Sequence, residues 1–280
     1  MRNGKQQTKR NAHATLDQGS AIPRWQPARD GLLHLVSGAT ARQRRYHSRP
    51  VDGNRPVIIF GAHPDDAALG AGGLAAIMTR QSLPVIIVTA TTGALGGNPV
   101  LRKAEDSNSA RILGAELLSG KLRDGHLSLH GAIRLVESVI KEFNPEVILA
   151  PYEDDTHQDH RNLALAVASV ARRVPNLLYY EGPTSRDFFP SVVVDISAVW
   201  QQKWDAIVAH ASQMSRTNLL FWTDFISKCR AWPRYCGSRC EGFRLAHGDL
   251  LSLARVFSAT QYEVPPVIGM VDIAEAHHGN

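Results

Sequence analysis

The most constraining feature of this chain is a set of short, uninterrupted apolar runs that alternate with helical segments. Val57-Ile58-Ile59-Phe60, Pro84-Val85-Ile86-Ile87-Val88-Thr89 and Val147-Ile148-Leu149-Ala150 are rich in β-branched residues and carry no polar alternation. Strands of that kind are buried on both faces, which happens in parallel sheets covered by helices. Between them lie a small-residue helix after Asp66, a helix from Arg102 to Leu113 closed by Gly114, and another from Ala132 to Phe143. A helix from about Asn162 to Arg173 follows, then strands at Leu177–Tyr180 and Val192–Asp195. The pattern predicts an α/β fold with a doubly wound, mainly parallel, Rossmann-like sheet.

Charge divides the chain. Residues 1–50 hold ten Lys/Arg against Asp17 and Asp30, a net +8, so the other 230 residues sum to −3 of the overall +5. We read 1–50 as a basic N-terminal extension, a solvated tail, and 51–280 as the catalytic domain. No nucleic-acid motif accompanies the basic residues and the body is slightly acidic, so no nucleic-acid partner is expected. No run approaches eighteen apolar residues, and MRNGKQQTKRN lacks the apolar core of a secretory signal. Three cysteines are too few for a disulfide framework. The expectation is a cytoplasmic protein with no membrane partner.

In open α/β sheets, ligands bind beyond the carboxyl ends of the strands. Two dense His/Asp clusters fall there: His63-Pro64-Asp65-Asp66 after the first strand, and Asp154-Asp155-Thr156-His157-Gln158-Asp159-His160 after the third. They would converge in space although about ninety residues separate them. Imidazole nitrogen and carboxylate oxygen suit zinc, and a catalytic zinc keeps three protein ligands with one position open. His63 and Asp66 can face one point, and a histidine of the second cluster would complete the set. Asp65 would stay off the metal as a proton acceptor, and Asp159 is placed to orient a histidine.

Ala62-His63-Pro64-Asp65-Asp66 followed by Leu69-Gly70-x-Gly72-Gly73 resembles the opening signature of the PIG-L/LmbE-like family of zinc-dependent N-acetylglucosaminyl deacetylases. The segment 151–160 resembles that family's second motif. Arg102-x-x-Glu105 with Leu113-Gly114 is similar to its arginine helix, and Tyr180-Glu181-x-Pro183, Val194-Asp195-Ile196, Lys203 and His210-x-Ser212-Gln213 are similar to its carboxyl-terminal part. The resemblance implies one zinc per chain, held by His63, Asp66 and His160. It implies Asp65 as general base, His157 as the group that stabilises the oxyanion or assists the departing amine, Asp159 as the partner of His157, and Arg102 as a contact to substrate or developing charge.

The implied reaction is hydrolytic removal of the N-acetyl group from an N-acetylglucosamine-containing small molecule (a conjugate, pseudo-oligosaccharide or antibiotic precursor), releasing acetate and a free amine. Family members often assemble, which leaves a homo-oligomer open. Three departures stand out: Ala67 where a glutamate is usual, Gln158 where proline is usual, and Asp155 where some members carry tyrosine. The competing readings are a catalytically silent sugar- or metal-binding relative and a nucleotide-dependent α/β enzyme. Gly70-Ala71-Gly72-Gly73 is not Gly-x-Gly-x-x-Gly, which argues against the latter.

Other features take structural readings. His210 is expected to cap or pack a helix end. Cys229, Cys236 and Cys240, with His247, match no common zinc spacing and are read as buried or idle thiols. The tryptophans divide between sugar stacking and core. Thr91–Pro99 is glycine-rich and expected to be a mobile lid or specificity loop.

Overall fold

The computed structural model describes residues 33–35, 55–214, 218–231, 237–249, 253 and 256. All fall in one compact unit, Leu32–Asn280; the other, Met1–Gly31, lies outside the described residues. Eight strands follow in chain order: β1 (Leu33–Leu35), β2 (Val57–Gly61), β3 (Val85–Thr91), β4 (Glu116–Leu122), β5 (Val147–Pro151), β6 (Asn176–Tyr180), β7 (Val192–Asp195) and β8 (Cys240–His247). The main helices are α1 (Asp66–Arg80), α2 (Pro99–Leu113), α3 (Leu129–Phe143), α4 (Gln158–Val170), α5 (Trp200–Val208), α6 (Ala211–Met214) and α7 (Leu219–Arg230).

The strands form one sheet in the order β1-β7-β8-β6-β5-β2-β3-β4. Every pairing is parallel except those of β8, which lies antiparallel between β6 and β7. The predicted mainly parallel α/β sheet is therefore observed. Part of the basic leading segment joins it, because β1 pairs with β7.

The two faces follow from the period of two along each strand. In β2, Val57 and Ile59 enter one apolar core with α1, while Ile58 and Phe60 enter the other with α3 and α4. β3 and β5 alternate in the same way, and every side chain of these three strands is buried. The small residues of α1 let it lie close to the sheet. A Cβ on Gly70 would stand 2.0 Å from the Tyr180 ring, whose hydroxyl donates to the Phe60 carbonyl at 2.7 Å. Gly70 thus serves close helix–sheet contact.

A buried ion pair braces the middle of α1. Glu241 of β8 accepts from the Gly73 and Leu74 amides at 2.7 and 2.8 Å and from Lys203 Nζ at 2.5 Å, while Lys203 also donates to the Leu69 carbonyl.

Besides β1, two strands carry no apolar run that marks them in the sequence. β4, ELLSGKL, is half exposed at the sheet edge and offers no continuous apolar run. β8, CEGFRLAH, mixes polar residues in because its Glu241 serves the ion pair and its far end is exposed. Helix starts also move. α2 begins at Pro99 because the Asn98 side chain accepts from the Val100 and Leu101 amides. α4 begins at Gln158, with His157 as its cap.

Chain order reverses between neighbouring strands β2 and β5: β3 and β4 continue to one side, β6 to the other. A crevice opens at the carboxyl ends of strands at such a switch point. The two His/Asp clusters follow these two strands directly.

Candidate metal centre and active site

The turn after β2 folds a carboxylate back onto the chain: the His63 amide donates to Asp66 Oδ2 at 2.8 Å. Asp65, between them, sits at the head of α1 with φ 107°, a strained conformation for a residue with a Cβ. That turn sends Asp65 and Asp66 in different directions. Asp66 meets the histidines and Asp65 meets Arg102.

Three donor atoms converge. His160 Nε2 lies 3.3 Å from Asp66 Oδ2 and 3.3 Å from His63 Nδ1, and His63 Nδ1 lies 3.5 Å from Asp66 Oδ2. A tetrahedral ion with bonds of about 2.0–2.1 Å spaces its ligands by roughly 3.3–3.4 Å. The triangle therefore fits three ligands of one such ion. His157 also offers a nitrogen to this cluster, and Asp124 and Asp159 offer oxygens on the far side of His63. Among the described residues, donor atoms of His63, His157 and His160, and of His63, Asp124 and Asp159, also lie within 4.8 Å of one another.

Carboxylates orient the outer nitrogens. His63 Nε2 faces Asp124 Oδ1 at 3.1 Å and Asp159 Oδ2 at 3.2 Å. His160 Nδ1 faces Asp155 Oδ2 at 3.1 Å. Burial alone would lower the pKa of His63, but hydrogen bonds to Asp124, Asp159 and Asp66 outweigh it and raise it to about 12. His160 is likewise raised to about 9 against its burial, by Asp66 and Asp155. Both shifts mark an acidic nest that favours a cation, and a metal there would compete with protons for the ring nitrogens.

Asp159 differs from expectation. The resemblance makes it the partner of His157, yet its carboxylate holds His63 and accepts from the Gly125 and Leu127 amides at 2.7 and 3.0 Å. Positions two apart at a helix start do not face each other. His157 instead uses Nδ1 to accept from the Asp159 amide at 3.2 Å, capping α4. Its ring stacks on His160 at 4.9 Å and faces the cavity.

Asp65 has its pKa raised to about 7: burial and the Asp66 charge lift it, and Arg102 and His63 partly offset them. A base poised near neutrality is suited to proton transfer. Arg102, expected to contact substrate, is 4% exposed and donates to the carbonyls of Pro64 and Gly93. It borders the cavity from beneath.

The cavity measures about 520 Å³ and joins this polar floor to apolar walls that include Leu95, Pro183, Leu219 and Trp222. The glycine-rich loop is a pinned wall: Arg102 holds the Gly93 carbonyl, Asp124 accepts from the Leu95 amide at 2.7 Å, and Gln213 donates to the Gly96 carbonyl at 3.2 Å. Glu105 accepts from the Ser212 amide and hydroxyl, tying α2 to α6 beside it.

Residues 58–171 match the PIG-L family, described as GlcNAc-PI de-N-acetylase. An uncharacterized deacetylase of Escherichia coli (strain K12), YaiS, is 31% identical over 146 residues, covering 49% of this chain and 79% of its own length. A probable N-acetyl-alpha-D-glucosaminyl L-malate deacetylase 2 of Bacillus cereus is 30% identical over 184 residues, 57% of this chain and 84% of its own. The chain belongs to the PIG-L family. Among solved structures, the conserved protein TT1542 from Thermus thermophilus superposes with a TM-score of 0.63 at 27% identity, covering 70% of this chain and 96% of that one.

Two of this PIG-L chain's departures have structural counterparts. Ala67 is buried in the apolar core. Gln158 donates its side-chain amide to the Gly125 carbonyl, fixing the loop that carries Asp124. The sequence reading missed Asp124 and Asp155 as histidine partners, and also Asp106. Asp106 accepts from Thr89 Oγ1 at 2.8 Å and is raised to about 7, chiefly by burial.

The remaining candidates stay apart from the metal cluster. His210 is buried, and neither ring nitrogen has a hydrogen-bond partner among the described residues. Trp222 lines the cavity, Trp200 and Trp204 pack on each other at 5.6 Å, and Trp232 lies outside the described residues. Of the cysteines read as buried or idle thiols, Cys229 is free and exposed, whereas Cys240 is buried and disulfide-bonded, which corrects the thiol reading there. Cys236 lies outside the described residues. His247 faces the Val174 carbonyl at 3.1 Å. No helix among the described residues is long and apolar enough to cross a membrane.

Proposed function

We propose that this chain is a zinc-dependent amide hydrolase that removes acetyl from an N-acetylglucosamine-type amino sugar in a small molecule. The observation that carries this reading is the 3.3–3.5 Å triangle of His63 Nδ1, Asp66 Oδ2 and His160 Nε2, with Asp65 beside it but outside it. The relatives named as deacetylases support the acetamide as the target.

His63, Asp66 and His160 would hold the metal. When bound, zinc supplies Lewis-acid polarisation of the acetamide carbonyl and makes water more acidic. Asp65 takes one proton from the attacking water as the C–O bond forms. Arg102 keeps the Asp65 carboxylate aimed at the cavity. His157, on the cavity wall, stabilises the oxyanion of the tetrahedral state or aids the departing nitrogen. The C–N bond then breaks, the Asp65 proton passes to nitrogen, and a free amine leaves with acetic acid, which gives up its remaining proton to solvent as acetate. Asp159 acts earlier in the chain of contacts, fixing the His63 ring.

The test is elemental analysis of the purified protein, paired with amine release from N-acetylglucosamine and a panel of its conjugates. About one zinc per chain with chelator-sensitive amine release is the expected result. A protein that binds no metal, or that releases amine equally well after chelation, would overturn the reading.

A further inference from the structure

His160, a ligand in the metal reading above, is tied to one wall of the cavity through a buried carboxylate and a threonine hydroxyl. Asp155 is 1% exposed. Its Oδ2 lies 3.1 Å from His160 Nδ1 and accepts from Ser185 Oγ at 3.2 Å, while Oδ1 accepts from the His157 amide at 2.7 Å. Thr184 Oγ1 lies 3.4 Å from the same His160 nitrogen.

The loop after β6 that carries Thr184 and Ser185 is zipped to the loop after β5. The Thr156 amide donates to the Thr184 carbonyl at 3.0 Å and the Arg186 amide to the Asp154 carbonyl at 2.9 Å. Asp155 and Ser185 form an isolated antiparallel bridge. Pro183 and Thr184 line the cavity.

We infer that Asp155 is a positioning residue that couples metal binding at His160 to the placement of the 182–186 wall. The inference rests on the metal reading above. By accepting from Nδ1, Asp155 fixes the His160 tautomer that leaves Nε2 free to coordinate, and its charge strengthens that nitrogen as a ligand. The same oxygen holds Ser185, so the ring and the wall share one anchor. Coupling of this kind is reciprocal: a metal that orders His160 steadies the wall, and a wall held in place favours the metal.

The experiment uses the full chain and zinc alone. Zinc affinity is measured by chelator competition for wild type, Asp155→Asn and Ser185→Ala, and amide exchange of residues 182–186 is followed with and without zinc. Asp155→Asn keeps the shape and an acceptor but removes the charge; it should weaken zinc by about 10- to 100-fold. In wild type, zinc should slow exchange at 182–186, and Ser185→Ala should abolish that response while its zinc affinity falls less than that of Asp155→Asn.

Equal zinc affinity in Asp155→Asn and wild type would overturn the positioning role. Zinc-independent exchange at 182–186 in wild type would overturn the coupling, and that measurement needs no variant to fold. A wild-type chain that binds no zinc at all is a different result, which sinks the metal reading itself.

Discussion

Arg102 reaches the Asp65 carboxylate at 3.4 Å while the same guanidinium donates to the carbonyls of Pro64 at 2.7 Å and Gly93 at 2.9 Å. One planar fork thus joins the candidate base, its own turn and the cavity loop. Its reach is limited by burial, and it stabilises the charged form of Asp65 that burial and Asp66 oppose.

Asp65→Asn removes the proton acceptor and leaves His63, Asp66 and His160 in place. Metal content should stay at the wild-type level while turnover falls by about 10²- to 10⁴-fold. His160→Ala should show the reverse order, losing metal first. Near-native rates in D65N would remove Asp65 from the base role.

Gly96→Ala tests the fork. Its Cβ would stand 2.3 Å from Arg102 Nη1, and Gly93 would place one at 2.2 Å with φ already at 65°. Because Arg102 is buried, it has to shift and carry Asp65 with it. A displacement on that scale should lower kcat on the order of 10²-fold, with zinc retained. Unchanged kcat in G96A would show that the base does not depend on this contact.

Lys203→Met tests the brace on α1. Glu241 would keep the Gly73 and Leu74 amides but lose its cation in a site where both side chains are nearly inaccessible. Removing one partner of a buried pair costs about 3–5 kcal/mol. Denaturant unfolding of K203M and of the Lys203→Met/Glu241→Met double variant should show the double variant recovering part of the loss. A loss under about 1 kcal/mol would mean the carboxylate is satisfied by the amides alone.

His210 gives a pH dependence. Burial, aided by Arg102, lowers its pKa from 6.5 to about 4. Between those values the unfolded chain takes up a proton that the folded chain refuses, so this residue's contribution is intact above pH 6.5 and lost as pH falls toward 4. The shift corresponds to about 3 kcal/mol. The difference in unfolding free energy between wild type and His210→Gln should change by that order between pH 7 and 4; a flat difference would place a proton on the folded ring.

The apolar runs by themselves marked β2, β3 and β5 as strands buried on both faces, since only such strands tolerate no polar alternation. The His/Asp clusters behind β2 and β5 marked the site, because ligands collect where strand order reverses. The sequence also carried the metal-type donors His63, Asp66 and His160, whose residue types and spacing limit what they can bind. Tertiary structure decided the rest. β4 and β8 lack the apolar signature because one is a half-exposed edge and the other carries Glu241 to a distant lysine. With β4 unseen, Asp124 did not stand at a strand end. Asp159 turned to His63, and Asp155 to His160 and Ser185, because helix geometry and neighbouring loops set those partnerships. The His63 and His160 rings meet across 97 residues of chain, and Asp159 holds the outer nitrogen of His63 across 96, contacts that no local pattern encodes.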